Sequence, residues 1–237
     1  MDKKRILLKL TGEIFLAPDR TLNAQAVNDV IGQMKKLQST HQFGIVVGGG
    51  NFWRGSIQGA SLGMQASVGH QVGMLATMMN GLILKDLIAQ QGLNPELLSA
   101  VPCPEVGASI SQQAIDRALH ENQVLIFSGG TGNPFFTTDT TAVLRGLQMK
   151  AHEIWKGTSV DGVYDSDPRN NPDAQFLSSI SFKEALDKNL GIMDATAYAL
   201  AQQHKQKIRI FNIFATEALI KAAQDSNFGS VIQYQER

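Results

Sequence analysis

The chain alternates between short apolar runs and longer stretches in which apolar residues recur every three or four positions. Residues 4–12 have the apolar, β-rich pattern of a strand that ends at a glycine, and residues 23–38 place apolar side chains on one helical face. The same order then repeats along the chain. We predict further strands at 43–50, 97–101, 123–130, 152–158 and 206–213, and further helices at 72–92, 109–121, 139–150, 181–188, 194–204 and 216–224.

This alternation predicts an α/β fold with a mostly parallel central sheet and helices on both faces. The 237 residues, 43% hydrophobic and 18% charged, suffice for one large domain or two small ones. Basic and acidic residues number 21 each, so the net charge is zero and any phosphate site must be local. Cys103, the single cysteine, cannot form an internal disulfide. We find no apolar run of roughly 18 residues and no signal peptide, and therefore expect a cytoplasmic protein that binds neither membranes nor nucleic acid.

Three predicted strands run directly into glycines, at Gly12, at 48–50 and at 129–130. Ligands of open α/β sheets bind at the carboxyl ends of the strands, where glycine lets backbone N–H groups approach an anion. One such loop could simply end a strand, but three indicate a polyanionic ligand. The P-loop pattern is absent because Ser56 stands where it needs a lysine, and the dinucleotide pattern is absent because Trp53 stands where it needs a glycine.

Two cations and one acid are candidates for chemistry at these loops. Lys9 interrupts the apolar run at the end of the first strand, and Arg54 follows the second. Residues 128–142, SGGTGNPFFTTDTTA, are too rich in glycine, proline and hydroxyls for a strand or a helix core, and contain one acid, Asp139. Phosphoryl transfer needs little more than positioned cations and backbone dipoles, because its transition state spreads negative charge over oxygens.

Six segments resemble, in order and spacing, the uridylate (UMP) kinases of the amino acid kinase superfamily. They are ILLKLTGE, VVGGGNFWRG, VGMLATMMNGL, GGTGNPFFTTDTTA, KGTSVDGVYDSDP and IRIFN. The resemblance covers nearly the whole chain and implies a single domain, residues 1–237, of the three-layer α/β/α amino acid kinase fold. It implies an acceptor part at about 1–150, an ATP part at about 151–237, and transfer of the ATP γ-phosphoryl group to UMP in pyrimidine nucleotide biosynthesis. Mg²⁺ would accompany ATP, with no residue assigned as a metal ligand.

The resemblance also implies roles for individual residues. Lys9, Arg54 and Asp139 would be catalytic, with Asp139 orienting the lysine and the metal-bound phosphates. ATP would bind at Lys9, Leu10, Thr11, Gly12, Gly50, Arg54, Thr158, Tyr164 and Asp167. UMP would bind at Gly49, His70, Thr131, Gly132, Asn133, Pro134, Phe135, Phe136, Thr137 and Thr138.

Three positions depart from the family pattern. His70 replaces an acid that binds the acceptor ribose, and a neutral imidazole cannot accept from both ribose hydroxyls as a carboxylate does. We therefore expect either altered acceptor binding, or a His70 that only caps or packs at the start of the long helix. His152 replaces an acid before the KGT strand, and Ser159 replaces a lysine near the donor site.

Partners and alternative functions follow from the same resemblance. It implies a homohexamer with GTP as activator and UTP as inhibitor. A carboxylate kinase acting on acetylglutamate or aspartate is a second hypothesis, against which TGNPFFTTD speaks. The third is a nucleotide- or oxoanion-binding protein without turnover, which His70 and His152 favour and which Lys9, Arg54 and Asp139 oppose.

Overall fold

A nine-stranded sheet runs through the computed structural model, which describes residues 3–54, 58–168, 170–188 and 190–234. The strands of the chain are β1 (Lys4–Leu10), β2 (His41–Val47), β3 (Pro95–Ser99), β4 (Ala108–Ser109), β5 (Val124–Ser128), β6 (Glu153–Thr158), β7 (Val163–Tyr164), β8 (Phe176–Leu177), β9 (Ser179–Ser181), β10 (Ile208–Asn212) and β11 (Ser230–Gln233). The sheet has the order β4-β3-β5-β2-β1-β6-β10-β11-β9, and β7 and β8 form a separate antiparallel hairpin. Among the described residues of this sheet, β10 and β11 are the one pair that runs antiparallel.

The first strand lies in the middle of this sheet, between β2 and β6. Lys9 is in register with Val46 of β2 and with Lys156 of β6. In the order of the sheet, the strands from β4 through β3, β5, β2, β1 and β6 to β10 are parallel. Their carboxyl ends therefore lie along one edge, and the loops that follow β1, β2, β5, β6 and β10 meet there. We call this edge the carboxyl edge of the sheet.

Seven helices within the described residues cover the two faces. They are α1 (Gln25–Leu37), α2 (Ala66–Gln90), α3 (Gln112–His120), α4 (Thr138–Gln148), α5 (Phe182–Asp187), α6 (Ala195–Gln203) and α7 (Ala218–Gln224). In β1, Ile6 and Leu8 point into a core shared with α1, α2 and α7, and Leu7 points into a core shared with α3, α4, α5 and α6. Successive side chains of a strand point to opposite faces, so one apolar strand serves both layers.

The predicted α/β fold with three layers is confirmed, and the differences are local. Strands β4, β7, β8, β9 and β11 were not predicted, because two to four residues are too few to show a period of two. The long helix begins at Ala66 rather than at residue 72, because 66–71 has no apolar repeat. Strand β1 ends at Leu10 rather than at Gly12, and Gly12–Phe15 forms a 3₁₀ turn. The division at about residue 150 stays a prediction.

Helix α2 is long and apolar. Among the described residues it is the one helix that could cross a membrane by length and composition, with 25 residues and a mean hydropathy of 1.4 in its most apolar window. The expectation that no run of roughly 18 residues is apolar enough to span a membrane is therefore wrong for this helix, by length and composition. The helix packs on β3 and β5, and 39% of that window is buried. A helix in the core of a soluble protein has the same features.

A buried carboxylate, Glu153, organises the opposite, amino-terminal edge of the sheet. Its oxygens lie 3.4 Å from Lys4 Nζ, 3.2 Å from Lys207 Nζ and 3.2 Å from Arg209 Nε, and Trp155 Nε1 donates to it at 2.9 Å. Burial opposes its ionisation, but the Trp155 hydrogen bond and the charges of Arg209 and Lys4 lower its pKa from 4.5 to about 2. The ionised carboxylate therefore stabilises this edge.

The neighbouring residue, His152, also lies at the amino-terminal edge. Its side-chain Nδ1 accepts from the backbone N–H of Arg5 at 3.0 Å, and its backbone N–H donates to the Arg5 carbonyl at 2.8 Å. The side chain thus extends the pairing between β1 and β6 at the edge away from the glycine loops. The structure supports a structural role for this departure from the family pattern.

We predict that Glu153 contributes to acid sensitivity. Its pKa is lower in the folded chain, so its stabilising contribution is complete above pH 4.5 and is lost as the pH falls towards 2. Glu153→Gln should lower the free energy of unfolding at pH 7 by on the order of 3 kcal/mol. The variant should also lose less stability than the parent between pH 4.5 and 2, measured by urea unfolding at a series of pH values. Glu96→Gln is the control, because the Glu96 pair with Arg117 is more exposed; equal pH slopes in the parent and Glu153→Gln would refute the prediction.

Candidate active site

The glycine loops after β1 and β2 approach each other closely at the carboxyl edge. A methyl group at Gly12 would lie 2.5 Å from Asn51 Oδ1 and 2.6 Å from the Gly48 carbonyl oxygen. One at Gly48 would lie 3.8 Å from Thr138 Oγ1, at the start of α4. Asn80 on α2 holds the second loop, since its side-chain amide donates to the Gly48 carbonyl at 2.7 Å and pairs with Asn51. The predicted convergence of loops is therefore present in the structure.

Two lysines and one aspartate form an ion cluster beside these loops. Asp139 Oδ1 lies 3.0 Å from Lys9 Nζ, and Asp139 Oδ2 lies 2.7 Å from Lys156 Nζ. The two lysines come from neighbouring strands in register, and Asp139 comes from the first turn of α4. All three side chains are at most 15% exposed. The cluster carries two positive charges for one negative charge.

Burial and charge act against each other within this cluster. Burial raises the pKa of the Asp139 carboxyl, but Lys9 and Lys156 outweigh it and hold that pKa below its usual range. The pKa of the Lys156 ammonium is lowered, mainly by burial and further by the charge of Lys9. The charge of Asp139 raises it but does not outweigh burial. Asp139 is thus an ionised carboxylate that holds two cations together.

The start of α4 fixes the position of Asp139. Thr137 precedes the helix, and its hydroxyl accepts from the backbone N–H groups of Asp139 at 3.0 Å and of Thr140 at 3.5 Å. A hydroxyl cap of this kind satisfies N–H groups that have no partner inside the helix. The first turn is also the part of a helix where the backbone dipole favours a negative charge.

A cavity of 480 Å³ opens next to Lys156 on the β6 side of the cluster. Three predicted ATP-binding residues, Thr158, Tyr164 and Asp167, line it together. Thr158 Oγ1 donates to the Val160 carbonyl at 2.8 Å, and the Tyr164 ring packs edge-on against Phe176 at 5.4 Å between centroids. The remaining lining includes Ser159, Gly162, Asp165, Ser166, Pro168, Lys188, Leu190, Gly191, Ile192 and Ile210.

The predicted acceptor residues lie together in the loop between β5 and α4. Gly129, Gly130, Gly132 and Phe135 all have positive φ angles, from 60° to 82°, so the loop needs glycine at several positions. The Phe135 side chain is 69% exposed and that of Phe136 45% exposed. Thr131, Asn133, Pro134 and Thr137 complete the loop, and Thr138 is the first residue of α4.

His70 and Gly49 connect this loop region to α2. The His70 ring lies 5.1 Å from the Phe135 ring, between centroids. His70 does not cap the helix, because the cap position is Gln65. A methyl group at Gly49 would lie 2.7 Å from Ala76 Cβ, so this glycine allows the second loop to pack on α2. The structure therefore supports a packing role for His70. Its ring packs against Phe135, one of the predicted UMP-binding residues.

Arg54 is the predicted catalytic residue that lies apart from the ion cluster. It pairs with Glu13 of the 3₁₀ turn, and its Nε donates to the Gly50 carbonyl at 3.4 Å. Its side chain is 44% exposed. The Glu13 pair joins the first and second loops, and leaves Arg54 at their surface rather than beside Asp139.

Lys156 is the cluster member that the sequence reading missed. It stands in the apolar run EIWKGT, as Lys9 stands in ILLKL. A lysine inside a buried strand needs a partner, because an unpaired buried charge is unfavourable. Lys156 interrupts its apolar strand as Lys9 does, and is predictable from the sequence on the same ground.

The described residues contain no group of three or more histidine, cysteine, aspartate or glutamate side chains placed to hold a metal ion. Asp139 is the carboxylate of the ion cluster, and both its oxygens face lysines. Magnesium keeps several waters and usually needs only one or two carboxylates when phosphates supply the other oxygens. The site therefore fits magnesium bound mainly through a nucleotide.

Comparisons with known proteins agree with this fold and geometry. Residues 4–212 match the amino acid kinase family. The chain belongs to the amino acid kinase family. It is 40% identical over 236 residues to the uridylate kinase of Pseudoalteromonas atlantica, which covers 99% of this chain and 95% of the relative.

Solved structures also match this amino acid kinase over its whole length. UMP kinase from Ureaplasma parvum matches with a TM-score of 0.93 at 38% identity, covering 98% of this chain and 100% of that one. UMP kinase from Bacillus anthracis matches with a TM-score of 0.93 at 24% identity, covering 100% and 98%, and shows the fold alone. The resemblance seen in the six segments is confirmed, and these relatives support a nucleoside monophosphate kinase over the other two hypotheses.

We predict that the amino acid kinase site cannot accommodate a side chain at Gly12. Gly12→Ala would place a methyl group within 3.0 Å of Asn51 Oδ1, the Gly48 carbonyl oxygen and Gly50 N, so the two loops must separate. Affinity for Mg-ATP, the ligand expected from the sequence, should fall about tenfold or more in calorimetry, because small displacements of positioning groups are costly.

Gly32→Ala on α1 is the matched control, because its methyl group would meet only Gln91 Oε1 at 3.8 Å. Alanine is also the better residue inside a helix. The control should keep its affinity, and its melting temperature should equal or exceed that of the parent. Unchanged affinity in Gly12→Ala would contradict the role given to these loops.

Proposed function

We propose that the chain transfers the γ-phosphoryl group of ATP to UMP, forming ADP and UDP in pyrimidine nucleotide biosynthesis. The observation that carries this proposal is the buried cluster of Lys9, Asp139 and Lys156. It lies between the glycine loops, the nucleotide-sized cavity and the start of α4. The uridylate kinase relative supports UMP as the acceptor.

ATP occupies the cavity that Tyr164 and Thr158 line, with its phosphates towards Lys156 and the loop of Gly12. A tyrosine ring can cover an adenine face, and the Asp167 carboxylate can accept from the adenine amine or a ribose hydroxyl. When bound with ATP, magnesium would supply positive charge that offsets part of the phosphate charge. Backbone N–H groups of the glycine loops contact the remaining phosphate oxygens.

UMP occupies the loop between β5 and α4, with its phosphate near Thr138. At pH 7 the acceptor phosphate is already largely a dianion, because its second pKa is about 6. The reaction therefore needs no general base, and an ionised Asp139 suits a positioning role better than proton transfer. His70, which packs on Phe135, borders this loop.

Lys9 and Lys156 stabilise the charge that develops on the transferred phosphoryl group. Phosphoryl transfer proceeds through a transition state with charge on the equatorial oxygens, which positioned cations stabilise. Asp139 keeps the two ammonium groups close together despite their repulsion. Arg54, held by Glu13 at the surface of the first two loops, contacts the phosphates after it leaves that pair.

The assembly, regulation and location of the enzyme belong to the same proposal. Leu75, Met79 and Leu82 form an exposed apolar row on α2, between 48% and 52% exposed, which supports contact between subunits of a homohexamer. GTP activation and UTP inhibition are supported by the family resemblance alone. We place the enzyme in the cytoplasm, with the acceptor part at about 1–150 and the ATP part at about 151–237.

A coupled assay of ADP release tests the reaction. With Mg-ATP we expect turnover on UMP in preference to CMP and AMP, and none on acetylglutamate or aspartate. Lys9→Ala and Lys156→Ala should each lower kcat by on the order of a thousandfold, since each removes a cation from the transferred group. Lys36→Ala is the control, because Lys36 pairs with Glu217 at the surface. No turnover on any acceptor, despite binding of ATP, would overturn the proposal in favour of a binding protein.

A further inference from the structure

Asp194 is a carboxylate outside the ion cluster that accepts hydrogen bonds from three residues. It precedes α6 and accepts from the backbone N–H of Ala197 at 2.8 Å, as a helix cap does. It also accepts from the Thr140 hydroxyl, at 2.9 Å on Oδ1 and 3.1 Å on Oδ2, and from the Thr137 hydroxyl. Both threonines belong to the start of α4, the helix that carries Asp139.

The donor and acceptor capacity of Thr137 explains why a carboxylate is needed here. A hydroxyl accepts two hydrogen bonds and donates one. The Thr137 hydroxyl already accepts from Asp139 N and Thr140 N, so its one proton goes to Asp194. Asp194, which only accepts, suits this position, whereas an asparagine would turn one of its two acceptors into a donor.

The segment before Asp194 reaches the ion cluster from the other side. Leu190, Gly191 and Ile192 line the proposed ATP cavity, and the Ile192 carbonyl accepts from Lys156 Nζ. Lys156 in turn pairs with Asp139. These contacts form a closed ring that runs from Asp139 through Lys156, the Ile192 carbonyl and Asp194 to Thr137, and back to the backbone of Asp139.

We propose that Asp194 is a positioning residue for phosphoryl transfer. It fixes the distance between Ile192, whose carbonyl accepts from Lys156, and the first turn of α4, which contains Asp139. It thereby keeps the ion cluster aligned between the two nucleotides. The proposal rests on the function proposed above. A role as a simple cap of α6 would need only the Ala197 contact, as Ser111 caps α3 through Ala114 N at 3.1 Å.

Thr140 offers the cleanest way to test this role. Its side chain is buried, 4% exposed, and its hydroxyl donates to Asp194 without belonging to the predicted nucleotide sites. Thr140→Val removes that donor and keeps the side-chain shape, whereas Thr140→Ser keeps the donor. Ser111→Ala is the matched control, because it removes a helix cap that takes no part in the ring.

The experiment measures kcat, both KM values and the melting temperature for Asp194→Asn, Thr140→Val, Thr140→Ser, Ser111→Ala and the Asp194→Asn/Thr140→Val double variant. We expect kcat to fall about tenfold in each of the first two, with both KM values nearly unchanged. The kcat of the double variant should be no lower than that of the less active single variant, because both substitutions act through one contact. Thr140→Ser should keep the parent kcat, and Ser111→Ala should lower only the melting temperature.

A second readout separates failure of this proposal from failure of the proposed reaction. Lys156 is 9% exposed, so its acetylation by acetic anhydride, followed by peptide mass spectrometry, reports on the ring without turnover. Labelling of Lys156 should be faster in Asp194→Asn and Thr140→Val than in the parent or in Ser111→Ala. If labelling rises while no variant, including the parent, phosphorylates UMP, the ring stands and the reaction is wrong. Unchanged labelling and kcat in Thr140→Val, or additive losses in the double variant, would overturn the role of Asp194.

Discussion

The contact of one buried carboxylate with two ammonium groups is the interaction on which the rest of the site depends. Lys9 and Lys156 lie side by side on adjacent strands, where their charges repel each other. Asp139 makes that arrangement stable, and burial strengthens the attraction because the surroundings screen it poorly. The cluster still has one positive charge in excess, which suits a polyphosphate ligand.

The sheet topology is what makes this contact available. Strand β1 pairs with β6, although β2 to β5 and α1 to α4 lie between them in sequence. The parallel arrangement then directs the loops after β1, β2, β5 and β6 to the same edge. Glycines at 12, 48 and 49 let these loops approach one another and α2 to distances that side chains would prevent.

The sequence could predict the layers, the glycine loops, Lys9 and Asp139, because each is carried by a local pattern. It could have predicted Lys156 by the same reasoning, since a lysine also interrupts that buried strand. Asp194 could not be found in this way, because its role depends on Thr140, which lies 54 residues away. The shortest strands were missed for another reason: their positions depend on longer neighbours rather than on a pattern of their own.

The central place of β1 has a consequence for the order of folding. As synthesis proceeds from the amino terminus, β1 and β2 can pair early, but the other side of β1 has no partner until β6 has been made. Until then an apolar strand, with Ile6, Leu7 and Leu8 at its centre, presents an open edge to other chains. The growing chain is therefore most prone to aggregate just before Lys9 and Lys156 come together, and a chaperone would be most useful at that stage.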